Sequence, residues 1–149
     1  MLKISMASDH AGYQLKVLLK DYLVERDIEV IDFGSYDTES ADYPDTGFLA
    51  AQDVAEGKSD IGILVCATGH GMNMVANKVK GIRACLCLNK ESAKFSRQHN
   101  DANVLVLSSK QTMSTEIFQI VDVFLNESFS NEERHLRRLN KIKDYENKK

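Results

Sequence analysis

The chain has 149 residues, 43% hydrophobic and 28% charged with one proline, enough for one well-packed core and unlike a disordered or collagen-like chain. Its formal net charge of −3 leaves no basic excess to neutralise phosphates, which argues against general nucleic-acid or membrane-surface binding. No stretch approaches the ~20 apolar residues that cross a bilayer. The opening apolar run is broken at Ser8, Asp9 and His10, too early for a signal-peptide core. Three cysteines make neither an even disulfide framework nor zinc-ribbon pairs, so a reduced, cytoplasmic protein is expected.

In chain order, residues 2–8 form the first short apolar run. A helical stripe of Leu15, Leu18, Leu19, Tyr22 and Leu23 follows, and then a second run at 28–33. A weaker helical pattern near 48–55 leads to a third run at 61–66. Patterns near 72–79 and 91–97 flank a fourth run at 82–88. The fifth run, 104–107, precedes a stripe of Ile117, Ile120, Val121, Phe124 and Leu125. The runs are near-continuous rather than alternating, as in parallel strands buried on both faces. Five such repeats predict an α/β fold: a Rossmann-like three-layer sandwich, with a five-stranded parallel sheet and helices on both faces. The chain reads as one domain over 1–149, with 127–149 as a charged C-terminal helical extension. Ser130 and Glu133 are spaced for a capping box that opens this last helix, and Leu136, Leu139 and Ile142 give it a thin apolar edge.

Ligands of open parallel sheets bind outside the carboxyl ends of the strands. That rule selects Asp9-His10, Gly34, the loop 66–71, Asn89 and Ser108-Ser109. The loop Cys66-Ala67-Thr68-Gly69-His70-Gly71 joins a predicted strand to a predicted helix, which aims backbone N–H groups and a positive helix end at an anion. Cys66 there is either a thiolate base favoured by the helix end or a small hydrophobe closing a buried strand. Cys85 and Cys87, two apart in a strand, share one face and read as core. Asp9 suits a helix cap, and His10 beside it suits a phosphate donor. His99 and Asn100 end a predicted helix, and three of the four histidines are expected near the sheet mouth. Their irregular spacing does not suggest a metal site, and no metal or cofactor is expected. Arg134 and Arg138, four apart, share a helix face; they would grip a phosphate or simply balance Glu132 and Glu133.

Together these residues resemble the ribose-5-phosphate isomerase B family, which includes the related galactose-6-phosphate isomerase subunits. The likeness runs through Ser8-Asp9-His10-Ala11-Gly12, Asp42-Tyr43-Pro44, the Cys66 loop, Ala76-Asn77-Lys78 and Gly81-Ile82-Arg83. It continues through Ser96-Arg97-Gln98-His99-Asn100-Asp101, Asn103-Val104-Leu105 and Arg134-His135 with Arg138. The resemblance implies a metal-independent aldose–ketose isomerase, a homodimer or homotetramer with active sites shared between subunits. On this chain Cys66 would move a proton between C1 and C2 through a cis-enediolate, and Thr68 with the amides of Gly69, His70 and Gly71 would hold the oxyanion. His99 and Asp9 would assist ring opening, with His99 and Asn100 supplied by the neighbouring subunit. His10, Arg134 and Arg138 would bind the phosphate, and Tyr43 would line the substrate site. Members that do not use this cysteine carry a Glu at the position of Met72, which assigns this chain to the Cys branch.

Three departures stand out. Ala67 replaces the usual Gly, so a strained positive φ is expected if the loop is kept. His70 stands where an apolar residue or Asn is usual, and is expected to point to solvent. Lys110 stands where many members carry a phosphate-binding Arg, which keeps the charge but loses the fork. The expected reaction is ribose 5-phosphate to ribulose 5-phosphate in the pentose phosphate pathway. The same chemistry on allose or galactose 6-phosphate is the alternative, and a non-catalytic sugar-phosphate-binding module is the reading from another class.

Overall fold

Alternation along the strands decides which helices cover each face. The computed structural model describes residues 1–148. Its strands β1 (Lys3–Ser8), β2 (Glu29–Asp32), β3 (Ile61–Cys66), β4 (Ala84–Leu86) and β5 (Val104–Ser108) form one parallel sheet in the order β2-β1-β3-β5-β4. Ile4 and Met6 of β1, Ile61, Ile63 and Val65 of β3, and Leu105 and Leu107 of β5 point to one face. They pack there on α1 (Tyr13–Val24), α4 (Lys90–Asn100) and α5 (Ser114–Asn126). Ala7, Leu64, Cys66, Val104 and Val106 point to the other face, against α2 (Tyr43–Ala55) and α3 (His70–Asn77). The predicted three-layer α/β sandwich is therefore the observed one. Each fully buried Leu, Ile or Phe contributes roughly 1.5–3 kcal/mol.

The arrangement follows from crossover handedness. Right-handed connections that step leftward across the sheet must lie on one face, and those that step rightward on the other. The β1–β2 and β4–β5 steps use α1 and α4, whereas the β2–β3 and β3–β4 steps use α2 and α3. The chain leaves the neighbouring strands β1 and β3 toward opposite faces, so a crevice opens between their carboxyl ends. Asp9 and Cys66 stand on its two lips.

Several boundaries differ from expectation. The edge strands are shorter than their apolar runs: β4 keeps only three residues of the predicted seven; the Cys87 amide still donates to Val106 O, but Leu88 already bends toward Asn89, whose side chain caps α4 through the Ser92 amide. Helix α2 begins at Tyr43, five residues before the predicted pattern, with Pro44 in its first turn, where a missing N–H costs nothing. The capping box of the last helix does not form. Ser130 Oγ accepts from the Glu132 amide instead, and α6 (Glu133–Glu146) starts without a side-chain cap. The expected extension 127–149 ends at Lys149, outside the described residues.

Helix α6 crosses the amino ends of the strands. Its start docks on the end of α4, and Glu146 near its end accepts from the Gly81 amide ahead of β4. A cleft of about 430 Å³ lies beneath it, lined by Arg83, Phe129, Leu136, Leu139 and Ile142, so the thin apolar edge is only half covered. Among the described residues no helix is long and apolar enough to cross a membrane.

Candidate active site

Cys66 is the last residue of β3, and strand alternation turns it toward α2 and α3. The loop then folds over it. Gly69 has a φ of 87°, a left-handed conformation that favours glycine, and this reversal lets its amide donate to Cys66 Sγ at 3.1 Å. The amides of Gly71 and Met72, in the first turn of α3, also favour the thiolate. The left-handed residue is thus Gly69 and not Ala67, whose φ is not positive. The strain expected of Ala67 from a positive φ is therefore absent. The Met72 side chain is fully buried between α2 and α3.

Cys66 is 4% exposed. Burial pushes its thiol up from the ordinary value, opposed by the amides of Met72, Gly69 and Gly71 and reinforced by the negative charge of Asp9. The pull of the helix end on Cys66 is therefore outweighed by burial. Cys85, packed in the opposite core, is pushed up to about 11 by burial. Among the described residues, no three His, Cys, Asp or Glu side chains gather as a metal site.

The remaining mouth residues come from four loops. Asp9 Oδ1 accepts from the Gly12 amide at 2.9 Å, closing the turn before α1, while the Asp9 amide donates to Val65 O of β3. His10 is exposed, and its Nδ1 accepts from the Ala41 amide at 3.2 Å; the neutral ring then carries its proton on Nε2, which is left to donate. The Tyr43 ring lies over Gly71, so closely that a Cβ at 71 would stand 2.6 Å from the ring. Thr68 is half-buried and its hydroxyl accepts from the His70 amide at 3.4 Å, while His70 itself faces solvent as expected. The loop is tied to the end of β5. The Ser109 and Lys110 amides donate to Cys66 O and Ala67 O at 3.0 Å each, and Ser108 Oγ donates to Ala67 O at 2.6 Å. Lys110 is exposed at this rim.

His99 and Asn100 are elsewhere. Helix α4 runs from the carboxyl end of β4 down to the amino end of β5, so its last turn lies at the foot of the sheet. The expectation of three histidines at the mouth is wrong: His10 and His70 are there, and His99 is not. The error came from reading His99 by its nearness in sequence to β5 without following the direction of α4. The five residues of β5, at about 3.3 Å each, set roughly 16 Å between the two ends.

A second polar group assembles at the foot. The His99 ring is stacked between Phe95 (5.0 Å, 18°) and His135 (4.5 Å, 11°). His135 is 5% exposed and its buried Nε2 lacks a hydrogen-bond partner. Burial first, then the nearby His99 and Arg134, pushes its imidazole below the ordinary range. Arg134 Nε donates to Glu132 at 3.0 Å, Arg137 pairs with Glu133, and Arg138 is exposed. Sequence reading missed His135 as a packed group. The signal was present: His135, Leu139 and Ile142 fall at i, i+4 and i+7 of α6, on its docking face.

The chain matches the family model for ribose/galactose isomerases over residues 4–142. It is 43% identical over 142 residues to the ribose-5-phosphate isomerase B of Escherichia coli, covering 95% of each chain. Its fold is similar to that of a Clostridium thermocellum ribose-5-phosphate isomerase B, with a TM-score of 0.95, 46% identity and 97% of each chain covered. It is likewise similar to a Mycoplasma genitalium ribose-5-phosphate isomerase B with bound ribulose-5-phosphate. There the TM-score is 0.94 and the identity 43%, covering 99% of this chain and 98% of that one.

Proposed function

The chain belongs to the ribose/galactose isomerase family, and from that premise we propose that it interconverts ribose 5-phosphate and ribulose 5-phosphate, with Cys66 as the proton-transferring base. The observation that carries the reading is the setting of Cys66, a buried thiol faced by the Gly69, Gly71 and Met72 amides at the crevice between β1 and β3. It is supported by relatives of matching length and fold that bear the name of that activity.

In the forward direction the Cys66 thiolate removes the proton from C2 of the open-chain aldose. The C2–H electron pair becomes the C1–C2 double bond of a cis-enediolate, and the former carbonyl oxygen takes up the negative charge. Cys66 returns the proton to C1 while the C2 hydroxyl passes its own to the C1 oxygen, so that C2 becomes the ketone, C1 a hydroxymethyl group and Cys66 a thiolate again. The loop amides and Thr68 stabilise the enediolate, and Asp9 and Tyr43 border the sugar. His10, donating from Nε2, binds the phosphate with Lys110. A positioned base contributes typically ~10²–10⁴ in rate, and the oxyanion donors must supply most of the rest.

His99, Asn100, Arg134 and Arg138 serve a mouth on another copy of the chain. A single protomer holds them at the opposite end of the sheet from its own Cys66, whereas a symmetric homodimer, alone or within a homotetramer, can lay the foot of one copy over the mouth of the next. His99 then opens the sugar ring, and the two arginines complete the phosphate grip.

Purified protein should isomerise ribose 5-phosphate with or without a chelator, and Cys66→Ala should lose about 10²–10⁴ in kcat while its thermal midpoint moves little. Equal activity of the two proteins would remove Cys66 as the base. Preference for allose or galactose 6-phosphate in the same assay would move the assignment to six-carbon substrates, which Lys110 in place of a forked side chain makes worth including.

A further inference from the structure

The loop that borders the substrate mouth between β2 and α2 is held from beneath by a charge that the chemistry above does not use. Lys16, in the first turn of α1, is completely buried (0% exposed). Its Nζ donates to Asp32 Oδ1 at 2.6 Å and to Ser35 O at 2.5 Å, and it lies 5.7 Å and 5.4 Å from the centroids of the Tyr13 and Tyr36 rings. Asp32, at the end of β2, also accepts from the Gly34 amide at 2.9 Å, and its backbone carbonyl accepts from the Tyr36 hydroxyl. Lys20 approaches the outer carboxylate oxygen at 3.6 Å.

Burying an ammonium is costly unless it is paired and hydrogen-bonded, and a methionine would fill similar space without that cost. What the ammonium provides here is geometric: one compact cation joins a carboxylate on β2 to a backbone carbonyl in the following turn. That turn is in turn stitched to the end of β1. The Ser8 amide donates to Gly34 O at 2.6 Å, and the Ser35 amide donates to Ser8 O at 2.8 Å. Thr46 of α2 adds a hydroxyl to the same Ser8 carbonyl at 3.0 Å. Ser8 is followed directly by Asp9 and His10. At the far end of the loop, the Ala41 amide donates to His10 Nδ1, and Tyr43 opens α2 two residues later. Lys16 therefore secures one end of a segment whose other end fixes the His10 tautomer and delivers Tyr43.

We propose that Lys16 is a positioning residue for the phosphate end of the mouth: by clamping Asp32 to Ser35 it sets the 34–42 loop, and through the Ala41 amide it holds His10 as the Nε2–H tautomer that donates to the substrate. The phosphate role of His10 rests on the function proposed above; the tautomer lock does not.

The test is Lys16→Met in the full-length chain, read in two ways. Nitrogen-15 spectra of the imidazoles should show His10 fixed with a bare Nδ1 in the wild type and mixing tautomers in the variant. In the ribose 5-phosphate assay, KM and the inhibition constant of inorganic phosphate should both rise about fivefold or more, while kcat stays within about twofold, the signature of lost binding rather than lost chemistry. If Lys16→Met does not fold, Lys16→Met/Asp32→Asn, which removes both charges together, is read by the same measurements. A folded variant with an unchanged His10 tautomer overturns the proposal, as does one in which kcat falls and KM does not. If the wild type is inactive on every sugar phosphate, the functional reading fails while the tautomer comparison still decides the role of Lys16.

Discussion

The mouth and the foot of the sheet are built on opposite principles. At the mouth, Cys66, Asp9 and Lys110 are held by backbone: strand register, the Gly69 reversal, and the Ser109 and Lys110 amides just after β5, bonded to the carbonyls of Cys66 and Ala67. At the foot, His99 and His135 are held by ring stacking between two helices, Arg134 by an exposed ion pair with Glu132, and Arg138 is exposed. Exposed pairs contribute little, with a median near 0–1 kcal/mol. The mouth is thus ordered by the fold itself, whereas the foot has its donors placed on helix surfaces and only loosely oriented.

The sharpest way to break this comparison is to divide it between two chains. Cys66→Ala and His99→Ala should each be nearly inactive alone. When they are mixed under conditions that exchange subunits, activity should return to about a quarter of wild type, because half of the dimers are hybrids and each hybrid holds one intact site. No recovery despite demonstrated exchange would mean that the two regions do not meet across an interface.

A smaller effect concerns the mouth alone. Gly71→Ala sets a methyl 2.6 Å from the Tyr43 ring, and should cost about 1–3 kcal/mol as overpacking. Calorimetry of Gly71→Ala beside Gly71→Ala/Tyr43→Ala checks this, since the pair should recover much of the loss. Additive losses would show that Tyr43 does not press on the loop.

The smallest effect belongs to the foot. His135 is held below its ordinary pKa by burial, so the unfolded chain binds a proton there more readily than the folded one. The corresponding stability is present above the unfolded value of about 6.5 and declines as pH falls below it toward the depressed folded value. Denaturant midpoints should therefore drop between neutral pH and about pH 5, and His135→Gln should flatten part of that slope. An unchanged slope would place the titration elsewhere.

How far the sequence revealed each region follows from the same contrast. The mouth was legible because β3 reads as an unbroken apolar run ending at Cys66 and because Gly69 marks the reversal. Even there, an apolar run says nothing about desolvation, so the upward shift of the Cys66 thiol was not visible. The start of α2 was missed because Tyr43 and Pro44 lie ahead of its apolar pattern. The residues of the foot were found, but His99 was assigned to the wrong end, because location depends on the direction of α4 and not on proximity in the chain. Lys16 was hidden inside an ordinary amphipathic stripe, where a lysine between Leu15 and Leu19 reads as solvent-facing.

The burial of Cys66 bears on how the protein withstands oxidants. Peroxide and disulfides react with exposed thiolates, and susceptibility follows both thiolate fraction and access. Cys66 is 4% exposed, and burial pushes its thiol up from the ordinary value. The thiol at the crevice between β1 and β3 is therefore shielded from conversion to sulfenic acid by the same packing that places it there.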